Sequence, residues 1–180
     1  KEGAFYGPKI EIQVKDSLGR SWQLGTIQVD FNMANRFNLN FINQQGKKEN
    51  SVVIHRAVFG SFERFIGILL EHTEGNLPTW LSPIQAVVIN VGGEQKDYAK
   101  KIFELLKTHG IRVELKVDNE TVGKRIREAE IQKIPYILVV GDKEMANKTV
   151  NLRHYKKGQL GEIELEKLLS QIKSEIEDRA

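Results

Sequence analysis

The stretch IQAVVINV at residues 84–91 carries the clearest fold signal in the chain. Its residues are almost continuously apolar, which is typical of a β-strand covered on both faces in a largely parallel sheet. An amphipathic helix pattern follows over 94–109, and Gly110 ends it. We therefore expect this half of the chain to alternate strands with helices.

The same alternation continues downstream, in the order β-α-β-α-β-β-α. The further elements are predicted as a strand at 111–117, a helix at 121–133, strands at 135–140 and 150–155, and a helix at 162–178. Strand–helix–strand units form parallel sheets with right-handed connections. This half therefore predicts a mostly parallel sheet with helices on both faces.

The residues upstream of the opening stretch indicate an antiparallel sheet and one helix. Strands are predicted at 10–14, 22–29, 37–41 and 51–56, and a helix from Gly60-Ser61 to about His72. The run GNLPTWLSP at 75–83 carries two prolines and a glycine, which favour a connector. The prediction is an α/β chain with a first domain over 1–76, a linker over 77–83 and a second domain over 84–180.

Composition excludes several classes of protein. Apolar residues make up 40% and charged residues 28%, so the chain is globular rather than a disordered tail. Neither a run of about 20 apolar residues nor a secretory leader is visible, so we expect no membrane partner and a cytoplasmic location. Cysteine is absent, which excludes disulfides, thiolate zinc sites and a cysteine nucleophile within this sequence.

The charges are unevenly distributed along the chain. Residues 83–160 hold 15 Lys/Arg against 10 Asp/Glu, whereas residues 161–180 hold 3 against 6. A basic excess attracts polyanions such as RNA, and Lys124, Arg125 and Arg127 share one predicted helix in this region. Tyr136 and Tyr155 could stack on a base. The alternative is an ordinary solvated surface with interspersed charges, and the charges alone favour it.

Two segments of the first half could bind an anion. Lys9 ends the tightly turned run GAFYGPK at 3–9, where it could hold a phosphate or carboxylate, although composition alone favours a plain turn with a surface lysine. Gly60-Ser61 opens a helix that carries Arg64, which could clamp a phosphate, although a capped helix with solvated charges is the alternative. The four histidines lack the close spacing of a metal site, so His55 on its own favours a structural role.

Longer segments resemble a known family. They are EGAFYGPK at 2–9, WQLGTIQVDF at 22–31, VIHRAVFGSFERFIGILLEH at 53–72, PTWLSPIQ at 78–85, GIRVELKVDNETVGKRIREAE at 110–130 and PYILVVGDKE at 135–144. Together they resemble the C-terminal part of bacterial-type threonyl-tRNA synthetases. Residues 60–64 correspond to motif 3 of class II aminoacyl-tRNA synthetases, and the chain from about residue 83 is similar to the class IIa anticodon-binding domain. The resemblance implies an α/β chain: part of the class II antiparallel β-sheet with its helix, followed by that domain, a mostly parallel, mixed sheet of about five strands with helices on both faces.

The resemblance also implies roles for individual residues. Lys9 and Arg64 would be catalytic, with Gly60, Ser61 and Arg64 on the ATP side and Tyr6 and Gln23 beside threonine and the adenylate. His55 would be one of three zinc ligands, the other two being absent from this sequence. Asn119, Arg127, Glu144 and Arg153 would face the anticodon.

The implied function is that of a threonine–tRNA ligase that uses Mg²⁺ with ATP, zinc, threonine and tRNA(Thr), as a homodimer. Motif 1, motif 2 with its ATP-binding arginine and two zinc ligands are missing from the sequence. We therefore expect a C-terminal fragment that does not aminoacylate alone, because half a catalytic sheet cannot organise the transition state. The alternative is a stand-alone, non-catalytic tRNA- or RNA-binding protein derived from the synthetase.

Overall fold

The chain folds into two compact units, Lys1–Gly75 and Asn76–Ala180. The structure, a computed structural model, describes residues 4–117 and 120–179. Within those residues, none of the helices is both long and apolar enough to cross a membrane.

The first unit contains β1 (Lys9–Lys15), β2 (Ser21–Asp30), α1 (Asn32–Arg36), β3 (Asn40–Ile42), β4 (Lys48–Asn50), β5 (Val53–Ala57) and α2 (Phe62–Thr73). It is built on a three-stranded antiparallel sheet in the order β1-β2-β5. The predicted β1–β2 hairpin is confirmed. Asp16 forms its turn, because its Oδ1 accepts hydrogen bonds from the backbone N–H groups of Leu18 and Arg20.

The strand predicted at 37–41 is wrong in most of its length. A short helix, α1, forms immediately before it over residues 32–36 and ends at Phe37. Only Asn40–Ile42 forms a strand, β3, which pairs with β4. The cause lies upstream of the alternating pattern. Asp30 accepts hydrogen bonds from the backbone N–H groups of Asn32 and Met33, as a helix-capping carboxylate does.

The second unit contains β6 (Ala86–Asn90), α3 (Lys96–Thr108), β7 (Val113–Lys116), α4 (Val122–Ile131), β8 (Tyr136–Val140), α5 (Asp142–Asn147), β9 (Thr149–His154), β10 (Gly158–Glu164) and α6 (Leu165–Glu177). Its strands form a five-stranded sheet in the order β10-β9-β8-β6-β7. In this sheet β9 alone runs against the other four strands. The predicted mixed, mostly parallel sheet is therefore confirmed.

Helices cover both faces of this sheet, as predicted. On one face α3 and α6 pack against Ala86, Val88 and Leu138, and on the other α4 packs against Val87 and Ile89. All five residues of β6 are buried, which is why the opening stretch is apolar without interruption.

Two elements of the second unit were not predicted. Helix α5 follows Gly141 directly, and strand β10 occupies residues assigned to a loop and to the start of the last helix, which begins at Leu165 rather than Glu162. Gly158 and Gly161 have φ of +71° and +84°, and the β9–β10 pairing shifts register between Gln159 and Gly161. Glycines at a bulge interrupt the alternation of polar and apolar residues, which is why the sequence pattern did not predict this strand.

The proline-containing segment 77–83 is bound to the second unit. The side chain of Gln85 donates to the carbonyl of Thr79 at 2.9 Å, and Arg112 donates to the carbonyls of Trp80 and Ser82. Since these bonds satisfy its backbone, the segment is ordered against the sheet.

Candidate functional site

One face of the three-stranded sheet carries a row of polar side chains. Lys9 lies opposite Gln28, and Gln28 lies opposite His55, so one residue from each strand contributes. Residues opposite one another in a sheet point to the same face. The Lys9 ammonium lies 2.5 Å from the carboxylate of Glu11, two residues along the same face. An anion that approaches Lys9 must therefore compete with Glu11.

Tyr6 joins this row through Gln28. Its hydroxyl donates to Gln28 Oε1 at 2.9 Å, and its carbonyl accepts from the backbone N–H of Phe31 at 3.1 Å. Gly7 allows this approach, because a Cβ at that position would lie 2.1 Å from the carbonyl oxygen of Val29. The structure therefore brings Tyr6 and Lys9 together at Gln28.

The predicted ATP-side residues meet at the start of α2. Ser61 is its N-cap, and its Oγ accepts from the backbone N–H of Arg64 at 3.3 Å. Gly60 has φ of +71°, and a Cβ there would lie 3.1 Å from the carbonyl of Leu24. Arg64 Nη1 donates to the carbonyl of Gln23 at 3.1 Å. The structure thus brings the three predicted ATP-side residues together at this helix terminus, beside the backbone of β2 at Gln23 and Leu24.

His55 is fixed by a buried carboxylate. Its Nε2 lies 3.2 Å from Oδ2 of Asp30, a residue that is 5% exposed. The pKa of Asp30 is held below its ordinary value, chiefly by the backbone hydrogen bond from Met33. The backbone hydrogen bond from Asn32 and the side-chain hydrogen bond from His55 lower it further, whereas burial opposes them. The pair orients the imidazole of His55 on the sheet.

The zinc suggested by the resemblance does not fit these residues as a self-contained site. Zinc sites in proteins use three or four side-chain ligands. Over residues 4–117 and 120–179, no group of three or more His, Asp or Glu side chains could hold a metal ion. His55 offers a single ligand to such a site: its Nε2 lies close to Asp30, which leaves Nδ1 as the nitrogen that would face a metal.

In the second unit, two of the predicted anticodon residues lie on one side of the sheet. Helix α4 covers β6 and β8 there, and Arg127 is exposed on that helix. Beyond α4 the strand β9 continues the surface, with Arg153 opposite Ile137. Arg153 Nη1 lies 3.6 Å from Oε1 of Glu130 on α4, so the arginine bridges strand and helix.

The other two predicted anticodon residues differ in position. Glu144 lies in the first turn of α5, where its Oε2 accepts from the backbone N–H of Gly141 at 3.0 Å. It therefore follows the end of β8, whereas Arg153 lies near the beginning of that strand. Asn119 falls outside the described residues. The three described positions are spread along the sheet, and no hydrogen bond or ion pair joins them in the part of the chain that the structure describes.

Two residues that we assigned to an RNA-facing surface are buried. Arg125 is 2% exposed and Tyr136 is fully buried, so neither can contact a ligand at the surface. Arg125 follows Val122 by three residues and precedes Ala129 by four, which places it on the helix face that packs on the sheet. Tyr136 belongs to the apolar core, and burial raises the pKa of its hydroxyl.

Sequence reasoning missed Gln28 and Asp30, the residues that organise the polar row. Register explains why. The β1–β2 pairing shifts between Ile12 and Gln13, so counting by two along β2 from Gln23 does not give the correct face. The DF pair at residues 30–31 could have indicated a helix cap, had the following residues been treated as helical.

Two family models match the chain. Residues 1–73 match the tRNA synthetase class II core domain (G, H, P, S and T), and residues 85–175 match the anticodon binding domain. The predicted resemblance is therefore confirmed for both halves.

Individual relatives agree with these matches. The chain is 51% identical to threonine–tRNA ligase of Clostridium novyi over 178 residues, 99% of this chain and 28% of that protein. The corresponding enzyme of Caldanaerobacter subterraneus is also 51% identical, over 99% of this chain and 28% of that protein. The crystal structure of the RNA binding domain of threonyl-tRNA synthetase from Cryptosporidium parvum matches with a TM-score of 0.86 at 40% identity, covering 96% of this chain and 44% of that one.

The chain thus spans about a quarter of the length of the curated relatives that it matches. Both of its halves fall in domain families of class II synthetases, in the order core domain and then anticodon-binding domain. On this evidence the chain belongs to the threonyl-tRNA synthetase family of class II aminoacyl-tRNA synthetases.

Proposed function

We propose that this chain supplies one flank of the active site and the anticodon reader of a threonine–tRNA ligase. The ligase would activate threonine with ATP and Mg²⁺ and transfer it to tRNA(Thr), as a cytoplasmic homodimer. The observation that carries the proposal is the polar row Lys9–Gln28–His55 with Tyr6 bound to its centre, on the same sheet that binds Arg64.

The chemistry assigns distinct tasks to these residues. In the first step a threonine carboxylate oxygen bonds to the α-phosphorus of ATP, and the bond to pyrophosphate breaks. Lys9 and Arg64 would offset the negative charge of the carboxylate and phosphates as pyrophosphate leaves. Tyr6, fixed by Gln28, would orient the bound amino acid, and Gln23 would lie beside the adenylate. In the second step a ribose hydroxyl of the tRNA displaces AMP from the adenylate.

The second unit would bind the anticodon. Arg127 and Arg153 would meet phosphates or base edges, and Glu144 would accept a hydrogen bond from a base. The support for this assignment is that Arg153 of β9 lies on the side of the sheet that α4 covers, and that α4 carries the exposed Arg127. Asn119 remains in the proposal by resemblance.

The test separates the two parts of the proposal. The purified chain should bind tRNA(Thr) but not charge it with threonine at a native-like rate, because the sequence lacks motif 2. Adding the remaining core-domain segment of a close relative should restore threonyl-adenylate formation, measured by threonine-dependent exchange of pyrophosphate into ATP. A Lys9→Ala chain should fail to restore it. Restoration by that variant at the wild-type rate would contradict the proposed role of Lys9.

One observation favours a second candidate, a non-catalytic RNA-binding protein. The second unit has buried clusters on both faces of its sheet, whereas in the first unit Ile10, Ile12 and Ile54 are more than half exposed and α2 buries no side chain fully. An RNA binder would need only the second unit. Such a protein would bind tRNA(Thr) equally well but would not restore pyrophosphate exchange, so the binding and exchange measurements together distinguish the two candidates.

A further inference from the structure

The indole ring of Trp22 lies against two guanidinium groups. The Cζ atom of Arg64 is 5.6 Å from the ring centroid, and that of Arg20 is 5.8 Å from it. Both distances are within the range of a cation–π interaction. Trp22 also precedes Gln23, whose carbonyl binds Arg64. Arg64 is therefore contacted by two successive residues of β2.

The ring of Trp22 is held in place by Asp16. Its Nε1–H donates to Asp16 Oδ2 at 2.8 Å, and Arg20 Nε donates to the same oxygen at 2.5 Å. Asp16 is 8% exposed. Burial alone would raise the pKa of Asp16, but the hydrogen bonds from Trp22 and Arg20 outweigh it and lower that pKa to about 2. The carboxylate is therefore ionised at neutral pH and binds the indole firmly.

The two arginines differ in their anionic partners. Arg20 pairs with Asp16 and lies 3.8 Å from the carboxylate of Glu71. Among the described residues Arg64 pairs with no carboxylate, and its side chain donates to the neutral carbonyl of Gln23. A guanidinium carries five N–H donors, so most of those of Arg64 stay available to an anionic ligand.

We propose that Trp22, fixed by Asp16, is a positioning residue that holds Arg64 ready for a nucleotide. The inference rests on the proposed ATP contact of Arg64. An exposed arginine loses rotamer entropy when a ligand immobilises it. Holding it beforehand against an aromatic face removes part of that cost from binding. The aromatic ring serves this purpose without neutralising the charge, as a carboxylate would.

The first experiment observes Arg64 in the free protein. The ¹⁵N–¹H heteronuclear NOE of the Arg64 Nε–Hε group reports its mobility, and its proton shift reports the ring current of Trp22. The Arg64→Lys variant identifies the signal. Trp22→Leu should lower the NOE and abolish the ring-current shift, whereas Trp80→Phe, the matched change at the tryptophan of the second unit, should alter neither.

A gentler variant keeps the test valid if Trp22→Leu fails to fold. Trp22→Phe retains an aromatic face but loses the hydrogen bond to Asp16, so the Arg64 NOE should fall to an intermediate value. Asp16→Asn should act in the same direction. If the Arg64 signals are unchanged in a folded Trp22→Leu or Trp22→Phe chain, the inference is overturned.

The second experiment measures the affinity for Mg²⁺-ATP by titration. Loss of one exposed cation–π contact corresponds to an affinity about two- to fivefold lower in Trp22→Leu. The double variant Trp22→Leu/Arg64→Ala should bind no more weakly than Arg64→Ala alone, because Trp22 acts through Arg64. If Arg64→Ala lowers affinity and Trp22→Leu does not, the inference is wrong. If Arg64→Ala has no effect, the proposed ATP contact is wrong, and the NMR comparison alone decides whether Trp22 positions Arg64.

Discussion

The guanidinium group of Arg125 binds both the side chain and the backbone carbonyl of Asn90. Arg125 Nη1 donates to Asn90 Oδ1 at 3.0 Å, and Nη2 donates to the Asn90 carbonyl at 2.7 Å. The same Nη1 donates to the carbonyl of Lys116 at 2.7 Å. One buried guanidinium thus joins α4 to the carboxyl ends of β6 and β7. The basic residue that the sequence placed in an RNA-binding surface is a structural part of the core.

We expect Arg125→Met to destabilise the second unit by about 2–4 kcal/mol. The substitution preserves much of the apolar stem but leaves buried acceptors on Asn90 and Lys116 without a donor. Arg127→Met is the matched control, since its side chain is exposed two residues away, and its effect should stay within about 0.5 kcal/mol. Urea unfolding followed by Trp80 fluorescence, in a Trp22→Phe background, measures both. Equal stabilities for the two variants would contradict the structural role of Arg125.

This contrast shows where the sequence is informative and where it is not. The apolar run 84–91 required burial on both faces, so strand β6 and the layered sheet were predictable. The burial of Arg125 could have been recognised from its spacing to Val122 and Ala129, but a charged residue is usually exposed. The row Lys9–Gln28–His55 depends on a register shift in a hairpin, which local patterns do not fix.

Glu162 should make the second unit sensitive to acid. Hydrogen bonds from Lys143, Thr149 and Asn147 lower the pKa of Glu162 from 4.5 to about 2. Because the folded-state pKa lies below the unfolded value, this carboxylate stabilises the fold above pH of about 4.5. That contribution disappears as the pH falls towards 2.

Glu162→Gln should therefore lower stability at pH 7 and lose its difference from the wild type near pH 2. Thermal unfolding across this range, followed by Trp80 fluorescence, checks the expectation. Glu166→Gln in the first turn of α6 is the control, since Glu166 has no hydrogen bond or ion pair with any residue that the structure describes. The assignment would be contradicted if the difference in stability between Glu162→Gln and the wild type were the same at pH 7 and near pH 2.

Gly7 should be intolerant of a side chain. In Gly7→Ala the new Cβ would meet the carbonyl of Val29, which belongs to the backbone of β2 and cannot turn aside. We expect a loss on the order of 2 kcal/mol in the first unit and release of the Tyr6 hydroxyl from Gln28. Gly67→Ala is the control. Gly67 lies inside α2, and a Cβ added there would meet no heavy atom within 4 Å outside its own helix backbone, so alanine should be neutral or stabilising by up to about 1 kcal/mol.

Trp22 fluorescence in a Trp80→Phe background reports the unfolding of the first unit for both glycine variants. Exchange of the Tyr6 hydroxyl proton, followed by NMR, reports its hydrogen bond separately. If Gly7→Ala were as stable as Gly67→Ala, the close approach of residues 6–8 to β2 would not exist in solution.

The anticodon assignment makes a quantitative prediction about salt. Arg127→Ala and Arg153→Ala should each weaken tRNA(Thr) binding roughly tenfold and, where a phosphate contact is lost, reduce the slope of log K against log salt by about 1. Glu130→Gln should act in the opposite direction, because it removes the carboxylate 3.6 Å from Arg153 and leaves that guanidinium to the RNA. Lys167→Ala on α6 removes one positive charge from the opposite side of the sheet, so it controls for net charge.

Filter binding or fluorescence anisotropy at several salt concentrations gives both the affinity and the slope. A tRNA(Thr) transcript with an altered anticodon separates base recognition from phosphate binding. Loss of a phosphate contact should weaken the binding of both RNAs alike, whereas loss of a base contact should weaken the binding of the cognate RNA only. Unchanged affinity in both arginine variants would contradict the assignment of this surface. A loss as large in Lys167→Ala as in Arg153→Ala would show that net charge, rather than the surface beside α4, governs binding.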